Sequence, residues 1–288
     1  LQTNISNKIR NYTKRKALEL NLEFFDLKNQ CGDIRNLMIR TTTTNEIMVL
    51  IQFYKYSKKG KNLLELIKNE FEEITSIMYV INSKPNDTIY DLEIHCYSGK
   101  KYLTEKIGEL LFKISPKSFF QTNSYQTSKL YNIIKRFANL RGNEIIYDLY
   151  SGIGTISLFL SKEAKKIIGI ETVKDAVQAA KSNSKLNDIS NCKFIQGDVK
   201  DIIAKPIRGI KKPDIIIVDP PRNGLDKSVL KSIIELSPNK IIYVSCNSST
   251  QARDIYELKD FYKLKITQAI DMFPQTYHVE NVVLLEKI

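Results

Sequence analysis

The sequence predicts an α/β chain whose larger part, from about residue 111 to residue 288, folds around a mostly parallel sheet covered by helices. Two observations predict this fold class. Short runs of Ile, Val and Leu recur through this part, and helix-length stretches separate them. Such alternation is typical of a parallel sheet that is buried on both faces. The residues before about 110 lack it, and there we expect a small α+β domain.

The part before the parallel sheet divides into a basic lead-in, 1–32, and the small domain, 33–110. Between Ile5 and Leu22 of the lead-in, Lys and Arg alternate with apolar residues, which predicts a basic amphipathic helix or a linker. In the small domain, β-rich runs predict a mostly antiparallel sheet, and a helix is predicted over Asn62–Ile74. The predicted strands are Leu37–Arg40, Ile47–Phe53, Ile77–Asn82, Ile89–His95 and Lys101–Ile107.

A turn-rich junction is predicted over Phe112–Asn123, and a helix over about Tyr125–Leu140 follows it. We place the domain boundary near residue 110, so that 111–288 forms the second domain. Further helices are predicted at Thr172–Leu186 and Ser228–Leu236. The predicted parallel strands are Glu144–Leu149, Ile167–Glu171, Lys193–Gln196, Asp214–Asp219 and Lys240–Ser245, and a closing antiparallel pair is predicted from Lys265–Met272 and Glu280–Lys287.

Composition narrows the class of protein. The chain has 44 Lys plus Arg against 32 Asp plus Glu, a net charge of +12, which favours a polyanionic partner such as nucleic acid. It lacks an apolar run of about 18 residues, which excludes an integral membrane protein. Its four cysteines form no Cys-x-x-Cys pair, so we expect a reducing cytoplasm and neither a disulfide framework nor a zinc motif. Because the chain starts Leu1-Gln2 without Met, we expect a fragment of a longer protein.

The residues that directly follow each predicted strand are the candidates for chemistry, because ligands bind at the carboxyl ends of parallel strands. After the first strand, the loop Asp148–Thr155 contains Gly152 and Gly154, which let backbone approach a ligand closely. A dinucleotide fingerprint would need a third glycine where Ser157 stands. The loop therefore disfavours a nicotinamide or flavin enzyme.

Three carboxylates, Glu171, Asp198 and Asp219, end or follow three different strands. A carboxylate after the second strand can accept both hydroxyls of a ribose, and one after the third can accept from an adenine amino group. Together the carboxylates predict a nucleoside site. The alternative is that Glu171 and Asp198 only begin the next helices, where the helix dipole favours acidic residues.

Cys246 follows the fifth predicted strand and precedes a helix that we expect to begin near Ser248. A thiol in this position can be reachable and acidified by the helix N-terminus, which makes Cys246 a candidate nucleophile. We expect the other three cysteines to be small buried side chains. Glu280 begins the last run, and His278 could either orient it or make a structural hydrogen bond.

These residues belong to motifs that together resemble the S-adenosylmethionine-dependent RNA uracil-5-methyltransferases. The resemblance implies a class I methyltransferase domain, a Rossmann-like fold with a mostly parallel, seven-stranded sheet. The motif Phe119–Asn123, together with the upstream segments Phe24–Leu27 and Arg35–Arg40, is more similar to the bacterial 23S ribosomal RNA enzymes than to the transfer RNA enzymes. The motifs are Phe119-Phe120-Gln121-Thr122-Asn123, the Asp148–Gly154 loop, Asp219-Pro220-Pro221-Arg222, Ser245-Cys246-Asn247 and His278-Val279-Glu280.

The resemblance also implies a role for each candidate residue. Cys246 would add to carbon 6 of uracil, and Glu280 would remove the proton from carbon 5 after methyl transfer. Arg222 would stabilise enolate charge or bind RNA phosphate, with a structural ion pair as the alternative. The residues expected around S-adenosylmethionine are Gln121, Tyr150, Gly152, Thr155, Glu171, Asp198 and Asp219.

Two features differ from the family pattern. Ser248 stands where many members have Pro, and the chain starts after the family's N-terminal barrel and iron–sulfur region, so we expect no metal in this fragment. RNA is the expected partner, with ribosomal RNA preferred over transfer RNA and no membrane. Three alternatives stay open: the transfer RNA enzyme, an amino-group methyltransferase, and a catalytically idle RNA-binding or ribosome-assembly factor. The amino-group enzymes usually have an aromatic residue where this chain has Arg222.

Overall fold

The computed structural model describes residues 2–207 and 209–288. These residues form two compact units. The first contains the described residues up to Lys106 together with Lys113–Lys117, and the second contains Ile107–Phe112 and Ser118–Ile288. None of the described helices is both long enough and apolar enough to span a membrane.

The first unit combines two helices with a four-stranded sheet in the order β1-β2-β3-β4. Pairs β1–β2 and β3–β4 are antiparallel, whereas β2 and β3 are parallel because helix α2 crosses over between them. One core cluster joins both helices to the sheet, with Ile9 and Leu63 fully buried. The elements are α1 (Asn4–Glu19), β1 (Ile34–Thr41), β2 (Ile47–Phe53), α2 (Lys58–Glu70), β3 (Ser76–Ile81) and β4 (Ile94–Gly99).

A strand, a helix and a junction in this part of the chain differ from the prediction. The strand predicted over Ile89–His95 is wrong in its first half, because the amide of Leu92 bonds to the carbonyl of Ile89 and closes a turn. The helix predicted over Asn62–Ile74 starts at Lys58, since Ser57 Oγ accepts from the amide of Gly60. The predicted junction includes the end of a strand. Leu103–Ile107 (β5) and Leu110–Ile114 (β6) form a separate two-stranded sheet.

The second unit is a seven-stranded sheet in the order β12-β13-β11-β10-β7-β8-β9. β13 is antiparallel to both neighbours, and the other pairings are parallel, which confirms the predicted fold class and the closing antiparallel pair. The strands are β7 (Ile145–Leu149), β8 (Lys166–Glu171), β9 (Cys192–Gln196), β10 (Ile215–Val218), β11 (Lys240–Ser245), β12 (Tyr262–Ile270) and β13 (Glu280–Lys287). The helices are α3 (Ser124–Ala138), α4 (Thr155–Leu160), α5 (Lys174–Leu186), α6 (Val199–Ile203), α7 (Lys227–Leu236) and α8 (Ser248–Leu258).

Strand β10, in the middle of the sheet, is apolar throughout because both faces of the sheet are covered. Ile215 and Ile217 of β10 belong to one core cluster, and Ile216 and Val218 belong to another. This alternation follows from the two-residue period of a strand. The two clusters fix β10 and its neighbours firmly, so the loops that follow these strands start from a rigid base.

The strand order reverses between β7 and β10. The chain runs from β7 outwards through β8 to β9, and then returns to place β10 on the other side of β7. In open parallel sheets, ligands bind beyond the carboxyl ends of the strands at such a reversal. A ligand site is therefore expected beside the loops after β7, β10 and β11.

Candidate active site

The loop after β7 is shaped by glycines with left-handed backbone. Gly154 has φ +82°, and a Cβ there would lie 2.7 Å from the ring of Phe194, so only glycine fits. Gly152 has φ +54°, and a Cβ there would meet no atom within 4 Å. The space where a Cβ of Gly152 would lie is thus empty, and the loop backbone is open to a ligand there.

Glu171 ties this loop to the next strand. Its Oε2 accepts from the amide of Gly152 at 3.0 Å, and its Oε1 accepts from the amide of Val173 at 2.8 Å. Asp198 instead caps α6, because its Oδ1 accepts from the amide of Lys200, and its carboxylate pairs with the Lys200 ammonium at 3.4 Å. The alternative that an acidic residue only begins the next helix therefore describes the contacts of Asp198. Glu171 instead holds the loop after β7 through its bond to Gly152.

Three buried polar atoms, two of them at the end of β7 and in the loop that follows and one just before α3, have no hydrogen-bond partner among the described residues. They are Oδ1 of Asp148 at the end of β7, Oγ of Ser151 in the loop, and Oε1 of Gln121 just before α3. Buried polar atoms without a partner are uncommon in folded proteins. All three can accept a hydrogen bond, so they fit a ligand rich in donors.

Cys246 and Glu280 lie at the same end of a strand pair. The register of β11 with β13 pairs Ser245 with Asn281, and Cys246 directly follows β11 while Glu280 begins β13. Glu280 raises the pKa of the Cys246 thiol, so the two groups lie within electrostatic reach of each other. Glu280 is only 5% exposed, although a glutamate at the start of a strand is usually solvated. Both side chains therefore reach one end of the sheet from neighbouring strands.

A cavity of about 650 Å³ opens beside Cys246. One wall holds Arg222, whose carbonyl accepts from Asn247 Nδ2 at 3.1 Å and from the Thr250 hydroxyl at 3.2 Å. Asn247 in turn caps α8 by accepting from the amide of Ser249. The lining residues are Arg222, Cys246, Asn247, Ser248, Ala269, Tyr277, His278, Val279 and Asn281.

Comparison with known proteins identifies the family. A family model described as tRNA (uracil-5-)-methyltransferase matches residues 36–288. The chain belongs to this family. It is also 48% identical to an uncharacterised RNA methyltransferase of Bacteroides thetaiotaomicron and 45% identical to one of Porphyromonas gingivalis, each over 99% of this chain. It spans 64% and 63% of the lengths of these two relatives.

A solved structure is similar over nearly the whole chain. It is the tRNA (uracil-54, C5)-methyltransferase of Pyrococcus abyssi in complex with S-adenosyl-L-homocysteine, with a TM-score of 0.81 and 30% identity. The similarity covers 98% of this chain and 67% of that one. This uracil-5-methyltransferase family member therefore has the class I methyltransferase fold that the sequence predicts.

The pKa of the Cys246 thiol is shifted in the opposite direction to the one predicted. Burial raises the pKa of Cys246, Glu280 and Asp219 raise it further, and the guanidinium of Arg222 lowers it. The prediction of an acidified thiol at the start of α8 is therefore wrong for this structure. Desolvation of the thiol is the largest cause of the raised pKa.

The carboxyl groups near the thiol are also shifted. Burial raises the pKa of Glu280, and Arg222 opposes that shift. Burial raises the pKa of Asp219 to about 8, with further contributions from Glu280 and Asp148. Asp219 thus lies within electrostatic reach of both parts of the site, the loop after β7 and the cavity after β11.

The remaining predicted residues have mainly structural contacts. The Thr155 hydroxyl bonds to the Tyr131 hydroxyl at 2.8 Å, joining α4 to α3. Tyr150 is half-buried against a core cluster, and burial raises its pKa to about 12. The ring of His278 lies against Tyr277 and Phe273, and its amide donates to Thr276 Oγ1. The hydrogen bond comes from the backbone of His278, so the role of its imidazole toward Glu280 stays a prediction.

Sequence reasoning missed several cavity residues. Tyr277, Ala269 and Asn281 line the cavity, but their positions carry no pattern that marks a site.

Among the described residues, no group of three or more His, Cys, Asp or Glu side chains could hold a metal ion. The other cysteines differ in exposure. Cys31 is exposed, and Cys96 and Cys192 are partly buried, so the prediction of buried cysteines is wrong for Cys31.

Proposed function

We propose that the chain is the catalytic part of an RNA uracil-5-methyltransferase that works through a covalent bond between Cys246 and carbon 6 of the target uracil. One observation carries the proposal: Cys246 lines a cavity, and the buried carboxyl group of Glu280 lies close enough to raise the pKa of its thiol. The reaction needs a nucleophile and a base that reach the same ring. Family membership supports the same reaction.

S-adenosylmethionine supplies the methyl group, which its sulfonium makes electrophilic, and the bond from sulfur to that methyl group breaks to leave S-adenosylhomocysteine. Its ammonium, ribose hydroxyls and adenine amino group are donors, and Asp148 and Ser151 at the end of β7 have unmatched acceptor atoms, as does Gln121 before α3. Glu171 retains acceptor capacity for ribose hydroxyls beyond its two amide contacts. Tyr150, Gly152, Thr155, Asp198 and Asp219 complete the proposed site. The Pyrococcus relative that binds S-adenosyl-L-homocysteine supports this assignment.

Cys246 starts the proposed reaction. Its thiolate forms a bond to carbon 6, and the electron pair of the ring double bond moves into an enolate, which makes carbon 5 nucleophilic enough to take the methyl group. Arg222 lowers the pKa of Cys246, so its guanidinium favours the thiolate against the effects of burial and Glu280. Arg222 therefore supports the first step by its charge.

Glu280 completes the reaction. After methyl transfer, carbon 5 bears both a methyl group and a proton, and the carboxylate of Glu280 takes that proton. The electron pair of the broken carbon–hydrogen bond restores the ring double bond, the bond to Cys246 breaks, and the thiolate leaves. Burial raises the pKa of Glu280, which makes its carboxylate a stronger base than an exposed one.

The RNA substrate is proposed from motif similarity. The form of the Phe119–Asn123 motif favours 23S ribosomal RNA, and the net charge of +12 suits any RNA. The alternative is transfer RNA, which is favoured by the substrate that the Pyrococcus relative is named for. We propose that the basic lead-in, 1–32, and the small domain, 33–110, add RNA contacts to the methyltransferase domain, 111–288, and that the protein works in the cytoplasm.

Two variants test the mechanism because they fail at opposite ends of it. The RNA is total ribosomal and transfer RNA from cells that lack the gene, with S-adenosylmethionine added. Cys246→Ala should give neither 5-methyluridine nor a covalent complex. Glu280→Gln should methylate the base and then retain it, so a denaturing gel should show an RNA–protein band that requires S-adenosylmethionine. Sequencing the trapped RNA then distinguishes ribosomal from transfer RNA.

Cys31→Ala is the matched control, because Cys31 is an exposed thiol of the first unit, and it should keep full activity. Methylation by Cys246→Ala would refute the covalent mechanism. Normal turnover by Glu280→Gln would show that the base is another group. A wild-type chain that binds RNA but transfers no methyl group would favour the idle RNA-binding factor.

A further inference from the structure

An exposed aromatic side chain stands at the edge of the cavity that holds Cys246. Tyr277 is 89% exposed, and it and His278 are the aromatic residues among the cavity-lining set. The rings of these two neighbours lie 4.2 Å apart. Tyr277 therefore borders the cavity, while most of its ring faces solvent.

The segment before β13 holds this tyrosine in a defined turn. Thr276 donates from its amide and from its hydroxyl to the carbonyl of Phe273, at 3.1 and 2.7 Å. The amide of His278 then donates to the Thr276 hydroxyl at 3.2 Å. Gln275 has φ +69°, the left-handed backbone of a tight turn. The ring of Tyr277 is thus presented by ordered backbone and not by a free loop.

An exposed aromatic ring contributes little to folding, but at this place it suits an RNA base. An enzyme that acts on carbon 5 must take its uridine out of the stack, and the neighbouring bases then lose a stacking partner. An aromatic side chain can replace that partner at about 1 to 3 kcal/mol per base. Tyr277 is 89% exposed, so a base stacked on its ring would stay open to solvent, which suits a neighbouring base better than a target uracil enclosed beside Cys246.

We propose that Tyr277 is a stacking site for the base next to the target uridine, and that it holds the RNA in the conformation with the uridine turned out. This inference rests on the proposed function. It adds a second base-binding position, at the mouth of the cavity, to the position beside Cys246.

The absence of tryptophan from the sequence allows a direct test. Tyr277→Trp introduces a single tryptophan, whose fluorescence is quenched when a nucleobase stacks on it. Total RNA from cells that lack the gene should quench this signal, whereas heparin, a polyanion without bases, should not. Tyr256→Trp is the matched control, because Tyr256 is 64% exposed and lies eight residues, or about 12 Å, along α8 from Ser248. Its fluorescence should change little with either polyanion.

Activity gives the second measurement. Tyr277→Ala should lower kcat/KM for the same RNA by about 5- to 150-fold. Affinity for S-adenosylhomocysteine and the melting temperature should stay unchanged, since the ring is exposed. Tyr277→Phe should restore most of kcat/KM, because it keeps the aromatic face.

Either of two results would overturn the stacking site. One is wild-type kcat/KM in Tyr277→Ala, and the other is equal quenching of Tyr277→Trp by heparin and by RNA. Both are distinct from a failure of the proposed function, in which the wild-type chain itself transfers no methyl group to this RNA.

Discussion

Replacing Asp148 by Asn measures the cost of a buried carboxyl group beneath the loop after β7. Asp148 is 1% exposed, and its Oδ2 accepts from the Ser157 hydroxyl at 2.6 Å. Burial raises its pKa from 3.8 to about 7, and Glu171 adds to the shift. Asn has the same shape and can accept the same hydroxyl proton, but it cannot ionise.

The raised pKa determines the sign of the effect. The folded state holds the proton of Asp148 more tightly than the unfolded state, so this stabilisation is complete below about pH 3.8 and is lost as pH rises through about 7. Each pKa unit corresponds to about 1.4 kcal/mol, so the wild type loses about 3 kcal/mol through Asp148 between pH 5 and pH 8. Asp148→Asn has no carboxyl group to ionise at this position, so it does not lose this stability. The free energy of unfolding of the variant minus that of the wild type should therefore rise by about 3 kcal/mol from pH 5 to pH 8.

Urea-induced unfolding of the ligand-free chain between pH 5 and pH 9 measures this difference. Asp226→Asn is the control, because bonds from the hydroxyl and the amide of Ser228 lower the pKa of the exposed Asp226. The stability that Asp226 contributes is lost only as pH falls through that lowered pKa, so the control difference should be constant over this range. A constant difference for Asp148→Asn as well would refute the buried-carboxyl argument.

Two further predictions concern the site itself. Arg222→Met should raise the pKa of Cys246, since Arg222 opposes the effects of burial and Glu280. The pH dependence of alkylation of Cys246 by iodoacetamide, followed by peptide mass spectrometry, should move to higher pH, and an unmoved profile would exclude this role. Glu171→Ala should weaken binding of S-adenosylhomocysteine at least tenfold by calorimetry, because hydrogen bonds to a charged acceptor contribute about 1.5 to 3 kcal/mol each. Unchanged affinity would place the ribose elsewhere.

The parallel sheet could be predicted from sequence because burial on both faces leaves a strong signal. Lys240–Ser245 and Glu280–Lys287 have the predicted bounds, and the Ile-rich β10 is one of the most apolar runs in the chain. The prediction at Ile89–His95 failed because its first residues form a turn, which the bond from the amide of Leu92 to the carbonyl of Ile89 closes. Just before this turn, Asn82 Nδ2 donates to the carbonyls of Asn86 and Thr88. Such side-chain bonds to local backbone compete with a sheet ladder, and a strand-like composition does not reveal them.

The site was predictable where strand ends determine it. Cys246, Asp219 and Glu171 could be placed at one edge because they end or follow parallel strands. The shift in the pKa of Cys246 could not be predicted, because it depends on Glu280 and Arg222. These two residues come from other elements, and no sequence pattern gives their distances from the thiol. Tyr277 was out of reach for the same reason, since its exposure depends on a turn.

The shifts of Cys246 and Glu280 bear on the order of the proposed steps. Glu280 raises the pKa of Cys246, and electrostatic coupling is mutual, so the two groups resist being anions together. The mechanism never requires both at once. Cys246 must be a thiolate when it attacks, and a protonated Glu280 then makes that thiolate easier to form. Once Cys246 is bonded to carbon 6 it is an uncharged thioether, and the negative charge lies on the ring enolate until carbon 5 takes the methyl group. The methylated adduct is neutral, so the repulsion that opposed ionisation of Glu280 is then gone. The covalent bond and the methyl transfer together favour the carboxylate at the stage when carbon 5 must lose its proton.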